Sequence, residues 1–204
     1  MSLPHPLKYL IFCCSLVVTA TTTTAQTRIG IGGGYFTSTI SNEALDPNVE
    51  FEAGPGSSRW VGGYYLGANL FAPLTAQLSF WSDLQVIQQR SASNGLQGVT
   101  VSYFELKPRV QYRVGERVDL GVGPSIGYSP TVDPFSGLRR ETNFGVALSA
   151  HVELGNFYLQ TIYTHGISNT AAFGTTALDA NNRRIPVEQR TRSIQVGLGY
   201  LWEL

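Results

Sequence analysis

Arg190-Thr191-Arg192-Ser193-Ile194-Gln195-Val196-Gly197-Leu198-Gly199-Tyr200-Leu201-Trp202-Glu203-Leu204 is the stretch whose reading decides the fold. Every second residue from Ile194 is apolar: Ile194, Val196, Leu198, Tyr200, Trp202, Leu204. Between them stand Ser193, Gln195, Gly197, Gly199, Leu201 and Glu203, a set that is mostly small or polar. A period of two means a strand with one apolar and one polar face. Ends of soluble domains fray into water unless they are held, so a strand running to an aromatic, apolar finish is expected to be anchored. Transmembrane barrels place aromatics at both membrane interfaces and close the last strand onto the first. Gly199, Tyr200, Trp202 and Leu204 are the residues expected to serve as a C-terminal signal for the barrel-assembly machinery if the chain is such a barrel.

Working outward, seven further segments alternate in the same way. They are 29–39, 59–71, 76–90, 99–114, 118–128, 142–154 and 157–167. The fourth is the most diagnostic. Phe104, Leu106, Pro108, Val110 and Tyr112 share one face, while Glu105, Lys107, Arg109, Gln111 and Arg113 share the other. Charge on a lipid face costs about 2–4 kcal/mol at the bilayer midplane, so in a membrane barrel this row must face the lumen. Pro108 has no ladder donor and is expected to mark a bulge or a strained site. The seventh segment is the least clean, with Tyr158, Gln160, Ile162 and Thr164 opposing Phe157, Leu159, Thr161 and Tyr163.

The connections alternate long and short. Ile40–Ser58, Ser91–Gly98, Ser129–Arg140 and Ser168–Gln189 are long; Ala72–Thr75, Gly115–Arg117 and Gly155–Asn156 are short. Outer-membrane barrels have short periplasmic turns and longer outer loops, which puts the N-terminus in the periplasm. The fold expected is an all-β, eight-stranded, antiparallel, up-and-down transmembrane β-barrel, the closed form that satisfies every backbone group in hydrocarbon.

Composition agrees. The 204 residues are 43% hydrophobic yet only 14% charged, below the quarter usual for soluble domains. Net charge is zero, so no basic field points to nucleic acid. His5 and Lys8 precede an apolar run from Tyr9 to Ala20, and Thr23-Thr24-Ala25 follows. These are the parts of a cleaved signal peptide, 1–25, ahead of a barrel domain, 26–204. Both cysteines, Cys13 and Cys14, fall in that leader, which excludes a disulfide scaffold and thiol chemistry from the mature chain.

Four motifs then resemble one family. Tyr103-Phe104-Glu105-Leu106-Lys107-Pro108-Arg109-Val110-Gln111-Tyr112 looks like its central charged strand, and Ala72-Pro73-Leu74-Thr75 like its short turn. Tyr163-Thr164-His165-Gly166-Ile167-Ser168-Asn169 and Ser193–Tyr200 resemble its last two strands. This is the PorT-like outer-membrane β-barrel family of Bacteroidetes, similar in architecture to small OmpA/OmpX-type barrels. The resemblance implies an outer-membrane location in a Gram-negative bacterium. By analogy alone it offers an accessory role in protein secretion.

Asp83, Glu105, Lys107, Arg109, Arg113, Asp119, His151, Glu153 and Glu203 fall on lumen faces and are expected to pair into a charge network, as buried charges must. Trp60, Tyr64, Tyr112, Tyr128, Tyr163, Tyr200 and Trp202 are expected in aromatic girdles. His165 and Ser168 invite comparison with a lipid-acyl hydrolase, but three residues apart on a strand they point to opposite faces, so no enzyme activity is expected. One histidine among scattered carboxylates makes no metal site, and no cofactor is implied. Arg139-Arg140 and Arg183-Arg184 are candidate contacts for lipopolysaccharide phosphates. The expected role is structural or surface-interacting, with outer-membrane lipid as partner and lipopolysaccharide as a candidate partner, and with a lumen filled by side chains that is no wide pore. The rival reading is a soluble, secreted, lipocalin-like ligand-binding barrel, whose apolar faces would point inward.

Overall fold

A computed structural model describes residues 26–44, 61–91, 99–128, 142–168, 176–178 and 184–204. The expected leader, 1–25, Trp60 and most of the long connections lie outside these residues. Nine strands are present: β1 (Arg28–Ala44), β2 (Val61–Pro73), β3 (Leu78–Ser91), β4 (Val99–Val114), β5 (Val118–Tyr128), β6 (Thr142–Leu154), β7 (Phe157–Gly166), β8 (Thr176–Leu178) and β9 (Arg184–Glu203). Consecutive strands pair antiparallel from β1 to β7, then β7 pairs β9, and β9 pairs β1. The wall is a closed, eight-stranded, antiparallel barrel, and no helix occurs among the described residues.

The short turns, 74–77, 115–117 and 155–156, all lie at one rim, together with the start of β1 and the end of β9. Two of them turn on glycines with positive φ, Gly115 at 74° and Gly155 at 69°, where a Cβ would be strained. The third is held by Thr75, whose hydroxyl accepts from the Leu78 amide at 2.9 Å, while the Leu74 and Thr75 amides both reach the Leu78 carbonyl.

Two boundaries, one extra strand and one proline differ from the sequence reading. β1 runs on to Ala44 and β9 begins at Arg184, because Thr39–Ala44 and Val187–Arg192 extend their mutual ladder past the rim where β2 stops. A ninth strand, β8, pairs with Arg184–Pro186 at the head of that extension. Pro108 makes no bulge. It stands opposite Pro124, and the β4–β5 pairing lapses over 107–109 and 123–125, resuming in unchanged register at Val110↔Val122. Neither proline can donate, so each turns its N-less side to the other and keeps its outer neighbour, Ser82 or Val146.

The apolar faces point outward. Ile31, Leu66, Leu84, Val122, Leu148, Val196 and Leu198 are all more than half exposed on the wall's outer surface. The charged and glycine-rich faces point inward. This is the reverse of a ligand-binding calyx, and the lipocalin-like alternative loses its geometry here. Inside, the glycines of β1 and β9 make room for large side chains from the flanking strands β7 and β2. A Cβ at Gly32 or Gly199 would meet the Tyr158 hydroxyl, and one at Gly197 would meet that of Tyr65. Those tyrosines are almost completely buried. The small residues of β1 and β9 are thus the cavity for the aromatics of the strands that flank them, at the close packing of a protein interior.

Gly199→Val is accordingly expected to cost about 1–3 kcal/mol through overpacking against Tyr158. Urea unfolding, followed by the boiling-sensitive migration of the folded barrel on a gel, measures this. An unchanged midpoint would mean that Tyr158 does not occupy that space.

Candidate functional site: the filled lumen and its girdles

Side chains fill the lumen in layers, and each layer follows from strand register. At the short-turn rim Arg113 of β4 grips Asp119 of β5 through two bonds, Nε–Oδ1 at 2.9 Å and Nη2–Oδ2 at 3.0 Å. The same Arg113 donates to Glu153 Oε2 of β6 at 2.8 Å, and Arg28 of β1 donates to Glu153 Oε1 at 2.7 Å. Because β1 and β6 are not neighbours, the Arg28–Glu153 pair reaches across the mouth. The Arg28 guanidinium also lies 4.2 Å from the centre of the Phe71 ring, within cation–π range.

Above the rim is an aromatic plug of Phe71, Trp81, Tyr158 and Leu201, all buried. Trp81 stacks on the His151 imidazole at 4.4 Å and meets Tyr158 edge-on at 5.0 Å. Both His151 nitrogens are engaged, Nδ1 by Gln111 and Nε2 by Gln160 at 2.9 Å. The histidine is therefore held as a packed, bonded core group.

The middle layers carry the charge. Asp83 accepts from Arg109, Asn69 and the Trp81 indole. Asn69 in turn accepts from the Tyr158 hydroxyl. One layer further, Glu105 accepts from Lys107 at 2.6 Å, from Ser125 at 2.7 Å and from Gln195, on the opposite wall, at 3.3 Å. Lys107 also points at Gln85 Oε1, 3.4 Å away. Asp83, Lys107 and Arg109 are 0–1% exposed, as deeply buried as any apolar group in the molecule. A second apolar plug, Phe36, Tyr65 and Ile87 with Tyr103 against it, closes the other side. The charges are sealed between two aromatic layers.

The structure thus brings together Asp83 with Arg109, Glu105 with Lys107, and Arg113 with Asp119 and Glu153, while His151 joins through neutral amides. It does not bring in Glu203, which sequence parity assigned to the network. Glu203 is exposed at the last pair of the β1–β9 ladder, opposite Arg28, past the level at which the lumen closes. Sequence reasoning missed Arg28, Asn69, Gln85, Gln111, Gln160 and Gln195 as members. Arg28 precedes the first segment read as a strand, which begins at residue 29; Gln111 falls on the lumen row, but it and the other uncharged polar residues were left out of the network.

Outside, aromatics gather at two levels. Tyr112, Tyr200 and Trp202 lie near the short-turn rim. Tyr200 meets both Trp202 and Phe157 edge-on, at 5.1 and 4.9 Å, and Asn156 donates to its hydroxyl at 3.0 Å. Tyr64, Tyr128 and Tyr163 lie toward the other rim. Tyr35, absent from the girdle set read from sequence, packs on Tyr64 at 6.0 Å. Of the candidate catalytic pair, the Ser168 hydroxyl takes the Phe144 amide at 2.9 Å and so finishes the edge of β6. His165 is on the outward face of β7. Arg139, Arg140 and Arg183 lie outside the described residues, as does the side chain of Arg184.

An apolar outer belt on a closed wall, with its charges inside, is the geometry of a barrel that crosses a membrane. No protein-family model matches the chain, and no curated protein matches it. Among solved structures it is similar to Ail, the attachment invasion locus protein of Yersinia pestis, at 14% identity and a TM-score of 0.46, covering 87% of this chain and 99% of that one. It is also similar to outer membrane protein AlkL, solved in lipid bilayers, at 13% identity and 0.44, covering 90% and 94%. A third is the outer membrane protein OprG of Pseudomonas aeruginosa, at 13% and 0.39, covering 88% and 98%.

Asp83→Leu leaves Arg109 buried without its partner and is expected to destabilise the barrel by about 3–5 kcal/mol, whereas Asp83→Leu with Arg109→Met restores most of that loss. Urea unfolding of the refolded barrels decides. Equal stability of the single and double variants would remove the pair from its central place.

Proposed function

We propose that the chain is an integral outer-membrane β-barrel of a Gram-negative bacterium, with a structural or surface-interacting role rather than a catalytic one. The observation that carries this reading is the continuous outward belt of large apolar side chains around a fully closed ladder. A soluble protein rarely exposes apolar patches beyond a few hundred Å², whereas hydrocarbon requires one. The filled lumen supports a wall element rather than a wide pore, since eight strands enclose space only for side chains or one small ligand. With the short turns in the periplasm, the N-terminus is periplasmic and the β1–β9 extension projects outward. The final Gly199, Tyr200, Trp202 and Leu204 serve in this reading as the signal for the barrel-assembly machinery. Membership in the PorT-like family rests on the four motifs in register, and any part in protein secretion on that analogy alone.

Leu198, mid-belt on β9 and 61% exposed, separates lipid from water as its surroundings. Leu198→Arg is expected to destabilise the barrel in vesicles by about 2–4 kcal/mol. A water-exposed leucine would accept arginine with little change, and that result, with the wild type remaining soluble and insensitive to boiling, would overturn the membrane reading.

A further inference from the structure

The strand that closes the barrel carries little on its inner face to say where it stops. The inward positions of β1 read Arg28, Gly30, Gly32, Gly34, Phe36. Across the closing ladder, the three glycines face Leu201, Gly199 and Gly197 of β9. A slip by one residue would turn the strand inside out, so the two-faced pattern excludes it, but glycine-rich strands are weakly registered otherwise. A slip by two keeps every residue on its own face. Moved forward, toward Ala44, β1 would set Gly30 and Gly32 where Gly32 and Gly34 stand. Moved backward, toward the short-turn rim, it would set Gly32 and Gly34 where Gly30 and Gly32 stand. Either way glycine replaces glycine at two of the three sites. The room at position 32 for the Tyr158 hydroxyl survives both slips.

Only the two ends of the run are distinctive. At one end Phe36 belongs to the second apolar plug, with Tyr65 and Ile87, and meets Tyr103 edge-on at 6.0 Å. A backward slip would drive its ring to position 34, where even a Cβ would meet the Val196 carbonyl. At the other end Arg28 donates to Glu153 at 2.7 Å and lies 4.2 Å from the centre of the Phe71 ring. Glu153 also accepts from Arg113, which is fastened to Asp119. Strands β4, β5 and β6 thus hold a fixed carboxylate toward β1, a strand that β6 does not adjoin. A forward slip of two residues would carry Arg28 about 6.6 Å along the strand, drawing its guanidinium away from Glu153 and Phe71 together.

We propose that the Arg28–Glu153 pair is the stop that fixes the register of β1 when the barrel closes, set against forward slip as Phe36 is set against backward slip. Arg28 is a positioning residue. Its partner lies on a strand outside both ladders of β1, so the contact gauges β1 against a part of the wall that those ladders do not define. The inference needs only the closed wall and does not depend on what surrounds it.

The test uses the full chain with Cys13→Ser and Cys14→Ser, which removes both native cysteines, refolded into phosphatidylcholine vesicles. Tyr35→Cys is combined in turn with Val196→Cys, Ile194→Cys or Leu198→Cys, and the folded barrel is treated with a mild oxidant. Directly opposite Cα atoms lie about 4.5–5.5 Å apart, within disulfide reach, and diagonal ones about 7–8 Å apart, beyond it. A bridge to position 196 therefore reports the native register, one to 194 a forward slip and one to 198 a backward slip. With Arg28 and Glu153 intact, the bridge to 196 should dominate. Arg28→Leu, which keeps bulk without charge, and Glu153→Gln, which leaves Arg28 in place, are each expected to raise the ratio of 194 to 196 bridges at least about tenfold, the size of one charge-assisted hydrogen bond. Arg28→Lys should keep the parental ratio. The bridge to 198 should stay rare throughout, because Phe36 is untouched. An unchanged ratio in the folded, boiling-sensitive band of either variant overturns the proposal, even where stability falls; should one of the two yield no folded band, the other decides. A lysine variant as slipped as the leucine one, or a bridge to 198 that rises with the bridge to 194, overturns it as well.

Discussion

Burying Asp83 and Arg109 together is the constraint on which the interior depends. Both are sealed from water by Trp81 and Tyr158 on one side and by Tyr65 and Ile87 on the other. A buried pair of this kind contributes little net stability compared with apolar residues of the same volume, yet losing one partner costs several kcal/mol. Its value lies in specificity. Asp83 accepts from three groups on three strands, and one of those, Asn69, accepts from Tyr158 of β7. Only one register of the closed wall places these atoms together. A slip by one residue would turn every side chain of a strand to the opposite face, sending Asp83 or Arg109 into lipid.

The two surfaces of the barrel answer opposite demands with one alternation. Outward positions have to be apolar because hydrocarbon solvates nothing else; inward positions are free to be polar because they can find one another. Glycine reconciles the two where space runs short. Gly32, Gly197 and Gly199 leave the room that Tyr65 and Tyr158 fill, so the part of the wall with the smallest side chains is closely packed too.

Much of this was legible in the chain. The row Glu105, Lys107, Arg109, Gln111, Arg113 read directly as a lumen face, because parity alone assigns it once lipid is outside. The sorting of loop lengths gave the antiparallel order and the count of wall strands. Partners across the lumen were not legible. Arg28 with Glu153, Glu105 with Gln195 and Tyr158 with Asn69 are 125, 90 and 89 residues apart and meet only after closure. Parity likewise drew in Glu203, because it fixes a face but not a height, and only the finished rim decides which inward residues are enclosed. The mutual opposition of Pro108 and Pro124 escaped for a related reason: each was visible, but their meeting depends on the turn at Gly115–Arg117.

The longest ladder among the described residues joins the first strand to the last, Arg28–Ala44 against Val187–Glu203. Every other wall pair except β7–β9 is a hairpin between neighbours in sequence. Loop-closure entropy grows with the length of chain between partners, so this junction is the most demanding to form and the last that synthesis permits. Folding of such non-local pairings is intrinsically slow. Once made, the junction runs past the rim and cannot be undone a strand at a time, since opening it leaves two edges of bare amides and carbonyls in hydrocarbon. The barrel is in this respect a latch: slow to close, and held shut by the time needed to open as much as by the depth of its energy minimum.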